Sequence, residues 1–149
     1  MARKPKSLKW NGKRVTADMR AAQIDGVNRT MAACVVHAKR THAWNNRTGI
    51  LEGGIDIADY AQPKAGGGGV KGTWGVRDVV HARIHELGGV IKPKRAKALS
   101  FRLDDGTFAV VKQVTIPARP YLRPAADEEY PKLAERIRAS YARRAKRSR

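Results

Sequence analysis

Apolar residues recur every three or four positions from Thr16 to about His42, the spacing that lines one face of a helix. The residues on this face are Ala17, Ala21, Ile24, Val27, Met31, Val35 and Ala38. Either Thr16 or Asp18 is placed to supply the N-cap oxygen. Cys34 lies beside the apolar face and is interpreted as a small buried side chain rather than a nucleophile. The pattern predicts one long N-terminal helix.

The middle of the chain predicts two strands and a short helix. Ile50 to about Tyr60 forms the first strand and Val70 to Val76 the second. Between them we expect Gly66–Gly69 to be mobile, because glycine loses more backbone entropy on ordering than any other residue. Arg77 to Leu87 predicts a short helix that ends at the Gly88-Gly89 pair. The apolar face of this helix consists of Val80, Ile84 and Leu87.

The last third of the chain predicts a hairpin followed by a helix. Leu99–Leu103 and Thr107–Ile116 form strands around Asp104-Asp105-Gly106, whose glycine suits the left-handed position of the turn. A proline-bracketed connector follows, and a final helix starts near Pro124, with Pro131 kinking or restarting it. The order of elements predicts an α+β fold. In it, a long N-terminal helix and a C-terminal helix pack on a small antiparallel sheet.

Charge adds two basic segments to this picture. The chain has 149 residues and a formal net charge of +18, of which residues 1–14 carry +6 and residues 132–149 carry +7. We therefore predict one α+β domain over residues 15–141, between a basic arm at 1–14 and a basic tail at 142–149.

Such segments are either solvated tails or sites for an anionic partner, of which a nucleic-acid backbone is the commonest. The DNA-facing candidates are Lys4, Lys6, Arg143, Arg144, Lys146, Arg147 and Arg149. No zinc-finger spacing or aromatic RNA-recognition motif indicates base-specific binding.

The composition argues against several other classes of protein. No apolar run approaches the roughly 20 residues of a membrane helix. The first residues of the sequence are basic, but no apolar segment follows them, so we expect no secretory signal. A single cysteine, Cys34, forms no internal disulfide, which favours a reducing compartment.

The candidate catalytic motifs are incomplete. Lys71 precedes Gly72 and lies in a predicted strand, whereas a phosphate-binding loop needs the lysine after the glycines and at the start of a helix. His81 and His85 are spaced for one helix face, but Glu86 follows the second histidine, so the zinc-hydrolase pattern is absent. No serine lies in a nucleophile elbow. We predict no enzyme, no metal and no cofactor, and a metalloenzyme using the two histidines is the weakest hypothesis.

Three segments follow one another in a specific order. They are Thr48-Gly-Ile-Leu-Glu-Gly-Gly-Ile55, then His85-Glu-Leu-Gly-Gly-Val-Ile-Lys-Pro-Lys94 running into Ala98-Leu99-Ser-Phe101, then Ile116-Pro-Ala-Arg-Pro-Tyr-Leu-Arg-Pro-Ala125. In this order they resemble a family of tail-component proteins of long-tailed bacteriophages. The third segment is the most specific and is similar to a stretch of Mu-type virion-morphogenesis proteins. The glycine run and the basic termini lie outside the resemblance.

The resemblance implies a structural protein of the phage neck, a tail-completion protein that joins tail to head along the DNA exit path. It implies a homo-oligomeric ring, expected to be a hexamer, that is assembled in the host bacterial cytoplasm and resides in the virion. The implied partners are neighbouring neck proteins, such as a tail terminator, head-closure protein or tail-tube ring, and genomic double-stranded DNA in the lumen. No membrane partner is implied. The alternative, from charge alone, is a small basic protein that binds nucleic acid non-specifically.

The proline-rich block is the candidate structural motif or interface. It consists of Arg119, Pro120, Tyr121, Leu122, Arg123 and Pro124. The prolines fix their own φ and favour extended geometry in the residues before them. One interpretation is an internal brace between sheet and helix, with Leu122 in the core and Arg123 paired with Asp127. The other is a subunit interface in which Arg119 or Arg123 binds a neighbour's carboxylate.

Overall fold

The computed structural model describes residues 11–147. Its helices are α1 (Gly12–Thr41), α2 (Ile50–Gly53), α3 (Ala82–Leu87), α4 (Leu122–Glu129) and α5 (Leu133–Arg147). Its strands are β1 (Ile55–Pro63), β2 (Val70–Val76), β3 (Gly89–Ile91), β4 (Leu99–Arg102), β5 (Phe108–Val111) and β6 (Val114–Ile116). The predicted α+β class, with long N-terminal and C-terminal helices and small antiparallel sheets, is confirmed. Three of the DNA-facing candidates, Lys4, Lys6 and Arg149, lie outside the described residues.

Helix α1 begins four residues earlier than the apolar pattern predicts. Asn11 is its N-cap residue, and Thr16 lies inside the helix, where its hydroxyl donates to the Gly12 carbonyl at 2.9 Å. The predicted capping role of Thr16 or Asp18 is therefore wrong, and residues 12–14 of the predicted arm are helical. Apolar spacing locates the buried face of a helix, and Gly12, Lys13 and Arg14 add no apolar side chain to that face, so the pattern missed this turn.

Strands β1 and β2 form an antiparallel hairpin. β2 has its predicted bounds, but the first strand does not start at Ile50, because residues 50–53 form the helical turn α2. The Gly53 N–H donates to the Gly49 carbonyl at 2.8 Å to close this turn. Gly49 precedes it with a φ of 71°, which glycine adopts readily. A short apolar run is ambiguous between strand and helix by periodicity alone.

The glycine run between β1 and β2 forms a closed turn. The Lys64 N–H donates to the Gly69 carbonyl at 2.9 Å, and the Arg20 guanidinium of α1 donates to the same oxygen at 2.7 Å. Gly66, Gly67 and Gly69 have φ angles of 82°, 85° and 112°, which side-chain-bearing residues rarely adopt. The prediction of a mobile loop missed this conformational role of the glycines and the tie to α1.

The predicted strand from Thr107 to Ile116 is two separate strands. β5 pairs with β4 in the predicted hairpin, after which the chain leaves this hairpin and β6 pairs antiparallel with β3. The sequence analysis did not predict β3, since three residues after a glycine pair are too few to establish a periodicity. Residues 11–147 therefore contain three two-stranded antiparallel sheets.

The core forms where α1 meets the β1–β2 hairpin, α2 and the start of α4. Its buried residues are Cys34, Val35, Ala38, Trp44, Leu51, Ile55, Tyr121 and Ala125. Cys34 is fully buried in this core, as expected for a small packing residue, and burial raises the pKa of its thiol to about 11. The predicted apolar face of the short helix is wrong, because α3 starts only at Ala82 and Val80 before it is 99% exposed.

The C-terminal helix is restarted at its proline. A 3₁₀ turn over Tyr130–Lys132, which contains Pro131, separates α4 from α5. α5 packs along α1 and approaches it closely at Gly26, where an added Cβ would overlap the Ile137 side chain and lie 3.1 Å from its backbone nitrogen. Gly26 lowers the helix propensity of α1, but its lack of a side chain admits the second helix.

Candidate functional site: the capped connector and the basic groove

One carboxylate of α3 anchors the proline-rich block. Glu86 Oε2 accepts hydrogen bonds from the backbone N–H groups of Tyr121 at 2.7 Å and Leu122 at 3.0 Å. Its Oε1 accepts from the Arg123 N–H at 3.0 Å. These donors lie at the start of α4, where amides have no partner within the helix and the helix dipole favours a negative charge. Glu86 therefore caps α4 from a distant part of the chain, whereas the N-cap residue Tyr121 provides no side-chain cap.

The backbone on either side of Glu86 also holds the connector. The Arg119 N–H donates to the His85 carbonyl at 2.8 Å. Gly88 has a φ of 68°, and a Cβ there would lie 2.7 Å from the Ala118 nitrogen. This glycine was predicted only to end a helix, but it also allows the connector to approach the end of α3.

Tyr121 is the residue of the block that lies in the core. It is 1% exposed, and its ring lies edge-on to Trp44, with the ring centroids 4.6 Å apart. Burial, with a smaller contribution from the Glu86 charge, raises the pKa of Tyr121 to about 12. Leu122, which was predicted to be the core residue, is only half-buried against this cluster.

The remaining side chains of the block, Arg119, Pro120, Arg123 and Pro124, are exposed. The predicted pairing of Arg123 with Asp127 is absent, and neither Arg119 nor Arg123 forms an ion pair within residues 11–147. The contacts of the backbone and of Tyr121 favour the brace interpretation. The interface interpretation of the two arginines stays a prediction. Sequence reasoning missed the capping role of Glu86, because it considered this residue only in a zinc motif and as a member of the second segment of the resemblance.

A pocket of about 390 Å³ lies beside Tyr121's neighbour Trp44. It is lined by Trp44, Asn45, Asn46, Arg47, Thr48, Leu51, His81, His85 and Arg119. The rings of His81 and His85 are 5.8 Å apart, and burial, followed by the His81 and Arg119 charges, lowers the pKa of His85. In the described part of the chain, no three His, Cys, Asp or Glu side chains cluster closely enough to hold a metal ion. The histidine pair therefore lacks the further ligands of a zinc site.

Helices α1 and α5 run antiparallel. Arg136 of α5 hydrogen-bonds to Thr30 of α1, and two turns later Arg143 lies 3.4 Å from Asp25. The first half of α1 therefore lies beside the end of α5. The described part of the basic C-terminal segment thus lies against the first half of α1.

A groove of about 350 Å³ lies between the two helices there. This basic groove is lined by Asp18, Asp25, Arg29, Ser140, Arg143, Arg144 and Arg147. Asp25 accepts hydrogen bonds from Arg29 Nε at 3.1 Å and from Arg143 Nη2 at 3.4 Å. A hydrogen bond from Ser140, followed by the two guanidinium groups, holds the pKa of Asp25 below its usual range. One charged carboxylate thus orients two arginines of the groove.

Three of the predicted DNA-facing residues, Arg143, Arg144 and Arg147, line the basic groove, whereas Lys146 is exposed outside it. The predicted boundary of the tail at 142 is not a structural boundary, because α5 continues to Arg147. Alanines in these last turns favour helix, and cations at a helix C-terminus are stabilised by its dipole. Arg136 lies near the start of α5 and instead binds the side chain and carbonyl of Glu129.

No helix within residues 11–147 is long and apolar enough to cross a membrane. Comparison of the chain with protein-family models, with characterised proteins and with solved structures finds no match. These comparisons neither support nor contradict the resemblance to phage tail-completion proteins, which rests on the three sequence segments.

Proposed function

We propose that the chain is a structural subunit of the neck of a long-tailed bacteriophage, a tail-completion protein that joins tail to head along the DNA exit path. One observation carries the proposal: the three segments behind the resemblance pack together. Leu51 and Ile55 of the first segment share the core with Tyr121 of the third. Glu86 of the second segment caps α4, which starts in the third. The similarity therefore concerns residues that build one structural unit.

The β4–β5 hairpin offers a surface to neighbouring copies of the chain. The Phe108 and Val110 side chains are 73% and 68% exposed. A two-stranded hairpin is only marginally stable by itself in water, and contiguous exposed apolar side chains are typical of protein interfaces. Packing against the next subunit of a ring, for which we expect six copies, would bury these residues. The exposed guanidinium groups of Arg119 and Arg123 add cationic partners for a neighbour's carboxylates.

The proposal is tested on particles. Deleting the gene from a phage that encodes this chain should leave filled heads and separate tails in electron micrographs, and supplying the chain in trans should restore joined particles. Joined, infectious particles at normal yield without the chain would contradict the proposal. The alternative, a monomeric protein that binds nucleic acid non-specifically, predicts salt-sensitive binding by a monomer and differs from the proposal in predicting no defined assembly with tail or head partners.

A double variant tests the proposed subunit contact at the β4–β5 hairpin. Phe108→Ser with Val110→Ser should keep the melting temperature of the isolated chain, because both side chains are exposed, yet fail to restore joined particles. Val80→Ser is the matched control, since Val80 is exposed outside the hairpin. Restoration by the double variant at the level of the control would show that the hairpin is not a subunit contact.

A further inference from the structure

Two arginines of the basic groove, Arg29 and Arg143, are held by one carboxylate. Asp25 binds Arg29 through its Nε and Arg143 through one Nη, and the buried Ser140 lies in the same lining. A guanidinium has five N–H donors, so Arg29 and Arg143 keep donors for a ligand. The four arginines of the lining outnumber its two aspartates. The groove is therefore cationic and partly preorganised.

We propose that the basic groove binds the phosphate backbone of double-stranded nucleic acid. This inference is independent of the neck assignment. Arg29, Arg143 and Arg147 bind phosphate oxygens, and Asp25 positions the first two. The planar fork of arginine matches the oxygens of a phosphate and binds them with two hydrogen bonds at once.

The length of the groove suits a repeating anion. From Asp18 to Arg29, α1 rises by about 16 Å, which corresponds to about five base pairs of a duplex. A single small anion would contact only part of this length. The lining contains no aromatic ring on which a base could stack. Contacts confined to phosphates do not read base sequence, so binding is sequence-independent.

The test compares two double variants of the full-length chain that carry the same charge. Arg143→Gln with Arg147→Gln removes two exposed cations of the groove. Arg138→Gln with Lys146→Gln removes two exposed cations of the same helix that lie outside the groove. Affinity for two 20-base-pair duplexes of unrelated sequence is measured by fluorescence anisotropy over a series of salt concentrations, with circular dichroism to verify folding.

The groove variant should bind both duplexes about tenfold more weakly near 0.1 M salt, and its slope of log K against log salt should fall by about 1.8, the value for two lost phosphate contacts. The control variant should lose less than half as much in both quantities. Equal losses in the two variants would overturn the proposal, because net charge alone would then explain binding. Competition by polyglutamate as effective as that by duplex, at equal charge concentration, would also overturn it and assign the groove to an acidic protein.

Discussion

Replacing Glu86 tests whether one side chain holds the connector and α4 in place. Glu86→Ala removes the acceptor of three backbone N–H groups, of which those of Tyr121 and Leu122 are partly buried. A hydrogen bond to a charged group contributes about 1.5–3 kcal/mol, and these three share one carboxylate, so their energies do not add fully. We expect the free energy of unfolding to fall by about 3 kcal/mol, or by roughly 10 °C in melting temperature for a chain of this size. Glu86→Gln keeps one acceptor oxygen and should lose about half as much.

The assay is urea and thermal unfolding followed by circular dichroism, with hydrogen exchange of the Tyr121 and Leu122 amides as the local measurement. Both amides should exchange faster in Glu86→Ala. Glu135→Ala is the matched control, because it removes the same charge from an exposed position on α5 and should change stability by less than about 0.5 kcal/mol. If Glu86→Ala is as stable as this control, the carboxylate does not act as a cap and the brace interpretation fails.

Three further predictions concern packing and pH. Tyr121→Ala should lower the free energy of unfolding by about 3–5 kcal/mol, because the Tyr121 ring is buried. Tyr121→Phe should lower it much less, because the hydroxyl that it removes lies 3.4 Å from its acceptor. Equal losses of stability in urea unfolding would refute the packing role. Gly26→Ala should destabilise the chain by about 1–3 kcal/mol despite the higher helix propensity of alanine. Gly53→Ala, whose added Cβ would meet open space, should leave stability unchanged. A Gly26→Ala variant more stable than the wild type would mean that α5 does not approach α1 so closely. The hydrogen bond from Arg136 lowers the pKa of Glu129. The charged Glu129 carboxylate therefore contributes fully to stability above the unfolded-state pKa of about 4.3, and this contribution is lost as the pH falls and the carboxylate is protonated. Between about pH 5 and 3 the wild type should therefore lose stability more steeply than Glu129→Gln, and parallel curves would contradict this reading.

Local patterns in the sequence determined most of the secondary structure. The apolar spacing of three and four predicted α1, because a helix that packs along one face must repeat at that interval. The run from Val70 to Val76 predicted β2 at its observed bounds, and Asp104-Asp105-Gly106 predicted the β4–β5 turn. Each of these features depends on residues that are close together in the chain, and a periodic pattern describes only such local relations.

The tertiary structure decided the features that depend on distant residues. The carboxylate that caps α4 lies 35 residues before the first amide it binds, and no local pattern relates the two positions. The strand predicted as Thr107–Ile116 divides because β3 offers β6 a second set of backbone partners. The basic segments were visible as charge at both ends of the sequence, but only the antiparallel packing of α5 on α1, admitted by Gly26, places Arg143 of the C-terminal segment beside Asp25 and Arg29 of α1. Composition determines how much charge a chain carries, whereas the packing of its helices determines where that charge is concentrated.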